Sequence, residues 1–125
     1  MIKTFTILGD PMGKPRMTRA DAWKKRKCVL KYFAWADKAR LQAGGIHKGI
    51  KRIIITAYLS MPNSWSVKRK EIMRGTPHNS KPDCDNVLKA VMDSVLERDQ
   101  EVFDAHVRKF WDNKNNPRIE VMIAS

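Results

Sequence analysis

A chain of 125 residues, 42% hydrophobic and 30% charged, suits one domain (1–125) with a modest core and is too apolar for a disordered segment. Its net charge of +12 is uneven: residues 1–82 hold 19 Lys/Arg against 4 Asp/Glu, and residues 83–125 hold 6 against 9. No apolar run approaches a membrane span and no basic amphipathic helix stands out. The basic half is therefore expected to meet nucleic acid rather than a membrane, and the acidic part a cation.

Residues 2–8 alternate as a strand and lack the apolar core and cleavage site of a signal peptide. Cys28 and Cys84 are isolated from one another, so free thiols in a reducing cytoplasm are expected. Gly9, Pro11, Gly13 and Pro15 make residues 9–22 a loop, which carries Lys14, Arg16 and Arg19. Lys24-Lys25-Arg26-Lys27 leads into a helix running to about Ala43, with Leu30, Phe33, Ala36 and Leu41 as its expected buried side and Gly44-Gly45 as its end. The β-branched run 53–59 reads as a buried strand stopped by Pro62. Ser64 is a suitable cap for a short helix through Met73 that carries Lys68, Arg69 and Lys70. Residues 75–82 form a second loop, with His78 and Lys81.

The clearest helix covers 86–97. Val87, Leu88, Val91, Met92, Val95 and Leu96 make its apolar stripe, and Asp85, Lys89, Asp93 and Glu97 make a row on the other side, with Asp85 at the N-cap. A strand near 103–111 follows, with Asp104, His106 and Arg108 on one face and Ala105, Val107 and Lys109 on the other. After a polar turn, 118–123 pairs back as the last strand. The order β-α-β-α-α-β-β indicates an α+β fold, a small mixed sheet with helices mainly on one face. Trp23, Trp35, Trp65 and Trp111 read as core residues; Trp65, in a basic segment, is the one suited to stack on an unpaired base.

Lys81-Pro82-Asp83-Cys84-Asp85-Asn86-Val87-Leu88-Lys89 concentrates the chemistry. Asp83 and Asp85, two apart, point the same way in an extended segment, and Lys89 lies one helical turn beyond Asp85. Two convergent carboxylates beside a cation suit Mg²⁺ or Mn²⁺ facing a phosphate. The same residues also read as an N-cap acid followed by an Asp–Lys pair on a solvated helix. Asp104 joins the pair only if its strand lies beside the start of the helix. His106 shares the strand face of Asp104 and Asp93 lies four residues beyond Lys89, so each is placed to support the residue it adjoins. Asp112-Asn113-Lys114 imitates the D-x-K of restriction nucleases but falls in a turn, where that chemistry does not sit.

The combination resembles the RusA-type Holliday junction resolvases of phages and prophages. Gly9-Asp10-Pro11-Met12-Gly13-Lys14-Pro15-Arg16 looks like the family's G-x-P-x-x-K-x-R loop, and His78 to Lys89 matches its H-x-x-K-P-D-x-D-N-x-x-K signature. Asp93-Ser94-Val95 stands where the family has D-A-L, and Phe103-Asp104-Ala105-His106-Val107 resembles its D-D-x-Q-V, with Phe103 and His106 as departures. The resemblance implies a Mg²⁺-dependent endodeoxyribonuclease, with Mn²⁺ able to substitute, acting as a homodimer that nicks four-way DNA junctions symmetrically in the cytoplasm of a bacterium or phage-infected host. It places the metal on Asp83, Asp85 and Asp104 and makes Lys89 the catalytic lysine. Lys14, Arg16, Arg19, Lys68, Arg69, Lys70, His78 and Lys81 are the expected DNA contacts. The competing functions are a non-catalytic basic DNA-binding protein and a branch or flap nuclease of the same chemistry.

Overall fold

The computed structural model describes residues 1–22 and 26–125. Trp23 and the pair Lys24-Lys25 lie outside the described residues. The regular elements are β1 (Ile2–Leu8), α1 (Lys27–Gln42), β2 (Arg52–Leu59), α2 (Val67–Met73), α3 (Cys84–Val95), β3 (Asp104–Trp111) and β4 (Arg118–Ala124). Short 3-10 turns occupy Arg19–Ala22 and Asp99–Glu101. The strands form one mixed sheet in the order β1-β4-β2-β3. β4 is antiparallel to both β1 and β2, whereas β3 is parallel to β2. A parallel neighbour requires a crossover, and α2 and α3 lie in that connection. This is the expected α+β fold. No helix of the described residues is long and apolar enough to cross a membrane.

Strand β2 runs through the core because both its neighbours are strands. Ile53, Ile55, Ala57 and Leu59 alternate onto the face that meets α1 and α3, joined there by Ile119, Val121 and Ile123 of β4. Among the described residues, the helices in contact with the sheet, α1 and α3, lie on that face and leave the other to side chains. There Arg118 lies 4.0 Å over the Tyr58 ring, and Arg108 Nη2 donates to Thr56 Oγ1 at 3.3 Å.

Several local expectations change. On α1 the buried side is Val29, Tyr32, Trp35, Ala36 and Ala39, while Leu30, Phe33 and Leu41 face solvent. The helix has apolar residues on two sides, and the side with alanines at 36 and 39 permits the closer approach to α3. Ser66, not Ser64, caps α2, its hydroxyl accepting the Arg69 N–H at 3.2 Å. Helix α3 begins two residues earlier than expected, so Asp83 is the N-cap and Asp85 belongs to the first turn. Its buried stripe runs through Val87, Ala90, Val91, Ser94 and Val95; Leu88 and Met92 are only half-buried, and Glu97 lies past the helix end.

Candidate active site

The sheet holds the entry to α3 in place. Lys109 Nζ of β3 donates to the Ser80 carbonyl at 2.6 Å and to the Pro82 carbonyl at 2.7 Å, tying the 80–82 loop to the strand. The chain arrives at Asp83 extended, and the Asp83 carbonyl accepts the Val87 N–H at 3.1 Å. Its carboxylate makes no capping bond. Asp83 and Asp85 are both exposed, and among the described residues neither carboxylate is hydrogen-bonded or ion-paired. Two negative charges at a helix N-terminus are favourable because the helix dipole is positive there. Lys89 stands exposed one turn further on.

The loop after β1 closes over this helix. Its start is fixed by the Gly9 N–H to the Pro117 carbonyl at 2.9 Å and the Ser60 N–H to Asp10 Oδ1 at 3.1 Å. In the middle, the Lys14 N–H donates to the Asn86 carbonyl at 3.3 Å. A Cβ on Gly13 would stand 3.0 Å from Pro82 Cβ and 3.3 Å from Asn86 Cβ, so glycine allows the loop to lie this close. Lys14 Nζ then reaches Asp93 Oδ2 at 2.5 Å. That hydrogen bond and the Asp93 charge hold the ammonium pKa above its ordinary value, with a further contribution from Asp99. Asp93 is thus the partner of Lys14 rather than of Lys89.

Two hollows lie at the entry to α3. One, of about 380 Å³, is lined by Gly13, Lys14, Lys81, Pro82, Asp83 and Asn86. The other, of about 470 Å³, is lined by Lys14, Pro15, Arg16, Met17, Asn86 and Lys89. They share Lys14 and Asn86, so Asp83 and Lys89 border one basic trough that also holds Lys14, Arg16 and Lys81. Four of the expected DNA contacts or catalytic cations therefore meet from three separate segments of the chain.

Asp104 does not join them. It is paired with Arg52 at the start of β3, where its carboxylate meets Arg52 Nη1 at 3.9 Å and His106 Nε2 at 2.9 Å. The part of β3 that touches the α3 entry is Lys109, five residues further on, or about 16 Å along a strand. An odd separation also turns Asp104 to the sheet face opposite Lys109. Helix α3 is antiparallel to β3, which brings the wrong end of the strand to the acids. Among the described residues no three His, Cys, Asp or Glu side chains converge as a metal cage. Asp99, exposed in the turn beyond the far end of α3, adds a little negative charge near Lys14 and lies away from Asp83.

The remaining expected contacts spread outward. Arg16 and Arg19 are exposed on the loop, and Lys68 and Arg69 on α2, with Lys70 half-buried. His78 is buried, its ring centroid 4.2 Å from that of Trp111. Burial and, secondarily, the Lys109 charge lower its pKa, so it favours the neutral form. Asp112 is buried against Arg118 at 3.5 Å, away from the acids.

Comparison with known proteins gives this arrangement its context. The chain is similar to YqaN, an uncharacterized protein of Bacillus subtilis (strain 168), at 30% identity over 139 aligned residues, covering 95% of this chain and 93% of that one. Residues 9–124, which include the loop, the trough and every acid discussed above, match the family model described as endodeoxyribonuclease RusA. The chain therefore belongs to the RusA endodeoxyribonucleases, divalent-metal-dependent nucleases that act on branched DNA and resolve Holliday junctions.

Proposed function

We propose that this protein, acting as a single domain in the cytoplasm, is a Mg²⁺-dependent resolvase that cuts four-way junctions as a homodimer by paired nicks. The observation that carries the reading is the pair of exposed carboxylates at the entry to α3, Asp83 and Asp85, unpartnered among the described residues, with Asp83 lining one basic hollow and Lys89 the adjoining one. Mg²⁺ keeps most of its waters and binds through one or two carboxylates plus phosphate oxygens, so this pair fits it without a closed cage. Mn²⁺ has the same preference for oxygen and should substitute.

When bound, the metal supplies a more acidic water and neutralises charge on the phosphate. Asp83 and Asp85 would hold it, with phosphate oxygens and water completing the shell. Lys14, Arg16 and Lys81 attract the DNA backbone and set where the phosphate lies. Lys89, exposed one turn from Asp85, faces negative charge that grows as the phosphodiester is attacked, so its effect falls mainly on the rate. Asp93 holds Lys14 and thereby the loop. Cys84, between the two acids, is too soft a ligand for Mg²⁺.

Mn²⁺ binding followed by electron paramagnetic resonance tests the metal assignment without reference to cleavage. Binding by the unaltered protein that disappears in both Asp83→Asn and Asp85→Asn supports it. Unchanged binding in both variants removes the acid pair from the metal site.

A further inference from the structure

Past Lys81 the trough opens into a larger cleft of about 860 Å³ between α2 and the 78–82 loop. Its wall is aromatic. The Trp65 and Trp111 rings lie 4.8 Å apart, His78 packs on Trp111, and the Arg69 guanidinium sits 4.1 Å over Trp65. Phosphodiester hydrolysis at Asp83 and Asp85 uses none of these groups.

We infer that this cleft takes one unstacked base of the strand being cut, stacked on Trp65 with Arg69 turned to its phosphate; the inference rests on the nuclease reading above. Aromatic rings beside cations form the platform on which single-stranded bases stack, and a paired base inside a duplex cannot reach it. The volume lies within the range of sites for one small ligand. Asn63 and Asn79 on the rim offer donors and acceptors to a base edge. Position argues the same way. Lys81 lines both this cleft and the hollow at Asp83, and two residues span at most about 7 Å. A base entering the cleft past Lys81 therefore comes from a nucleotide near the phosphate at the acids.

The alternative is that Trp65 merely packs. Against it, α2 buries no residue at all, and Trp65 is left half-exposed at its entrance. Arg69 does not block the site. An exposed cation–π contact is weaker than base stacking, so a base displaces the guanidinium and frees it for the phosphate.

The test places 2-aminopurine at each position flanking the crossover of a four-way junction, in EDTA so that strands stay whole. A single-stranded oligomer carrying the same base runs in parallel. The expected result is a fluorescence change at one position next to the crossover with the unaltered protein and with Trp65→Phe, and none with Trp65→Leu. Trp65→Leu should also bind the junction about tenfold more weakly or worse. A response that persists in Trp65→Leu, or a bound junction in which no position responds, overturns the inference. If the junction is not bound at all, the nuclease reading fails. The cleft is then judged by the single strand alone, where the absence of a Trp65-dependent response overturns it. Should Trp65→Leu not fold, photo-crosslinking 5-bromouracil at the flanking positions to the unaltered protein decides. Crosslinks mapping to Trp65 or His78 support the site, and crosslinks confined to other segments refute it.

Discussion

At the scale of single residues, the acids proposed to bind metal, Asp83 and Asp85, are distinct from Asp93, Asp104 and Asp112, which pair with cations of the fold. Asp83→Asn and Asp85→Asn should abolish cleavage while leaving junction binding equal or tighter, because each removes a negative charge facing phosphate. Asp104→Asn should leave cleavage far less affected than Asp83→Asn, because its carboxylate is engaged by Arg52 and His106. Equal losses in a cleavage time course would return Asp104 to the site. Lys89→Ala should lower the turnover rate by about a hundredfold with little change in binding. A loss confined to affinity would make it an ordinary phosphate ligand. That Asp83, Asp85 and Lys89 share one helix entry was legible in the sequence because they lie within seven residues. Where Asp104 stands was not, because it depends on which end of a distant strand meets α3, and strand direction leaves no mark in local spacing. The Lys14–Asp93 pair was equally hidden, since its members stand 79 residues apart.

Elements carry the next level. The loop after β1 lies so close to α3 that a Cβ on Gly13 would stand 3.0 Å from Pro82 Cβ and press the two apart by a few tenths of an ångström. Gly13→Ala should therefore shift the loop, weaken junction binding and slow cleavage, with a modest fall in the thermal midpoint because Met12 and Met17 of the loop pack against the core. A binding isotherm and a melting curve on the same sample check this; unchanged binding would show that the loop is not part of the trough. Helix α2 has no buried residue and bears Lys68, Arg69 and Lys70. A triple alanine variant should weaken binding to all sequences and flatten the log–log salt dependence by roughly one unit for each phosphate no longer neutralised. An unchanged slope would reduce these residues to solubilising charge. Most elements could be read from periodicity: β1 matches residue for residue, and β2, β3 and β4 shift by one residue at an end. Helix α1 differed at its buried face because Leu30 and Phe33 outweigh the alanines in any hydrophobic count. The packing against α3 selects the small residues, and that selection is tertiary.

For the whole molecule, the sheet sets the geometry. Strand β3 pins the 80–82 loop through Lys109, Pro117 just before β4 pins the first loop, and the two loops meet over the N-terminal turn of α3. One such trough engages one strand. A four-way junction has two-fold related strands, and a two-fold dimer presents two equivalent troughs to them. The decisive measurement is incubation of the protein with a four-way junction in Mg²⁺, with each strand labelled in turn. Matched nicks should appear in two opposed strands, vanish on chelation and in Asp85→Asn, and come from a species that sediments as a dimer. Single unpaired nicks from a monomer, or no cleavage at any salt or metal concentration, would contradict the resolvase assignment.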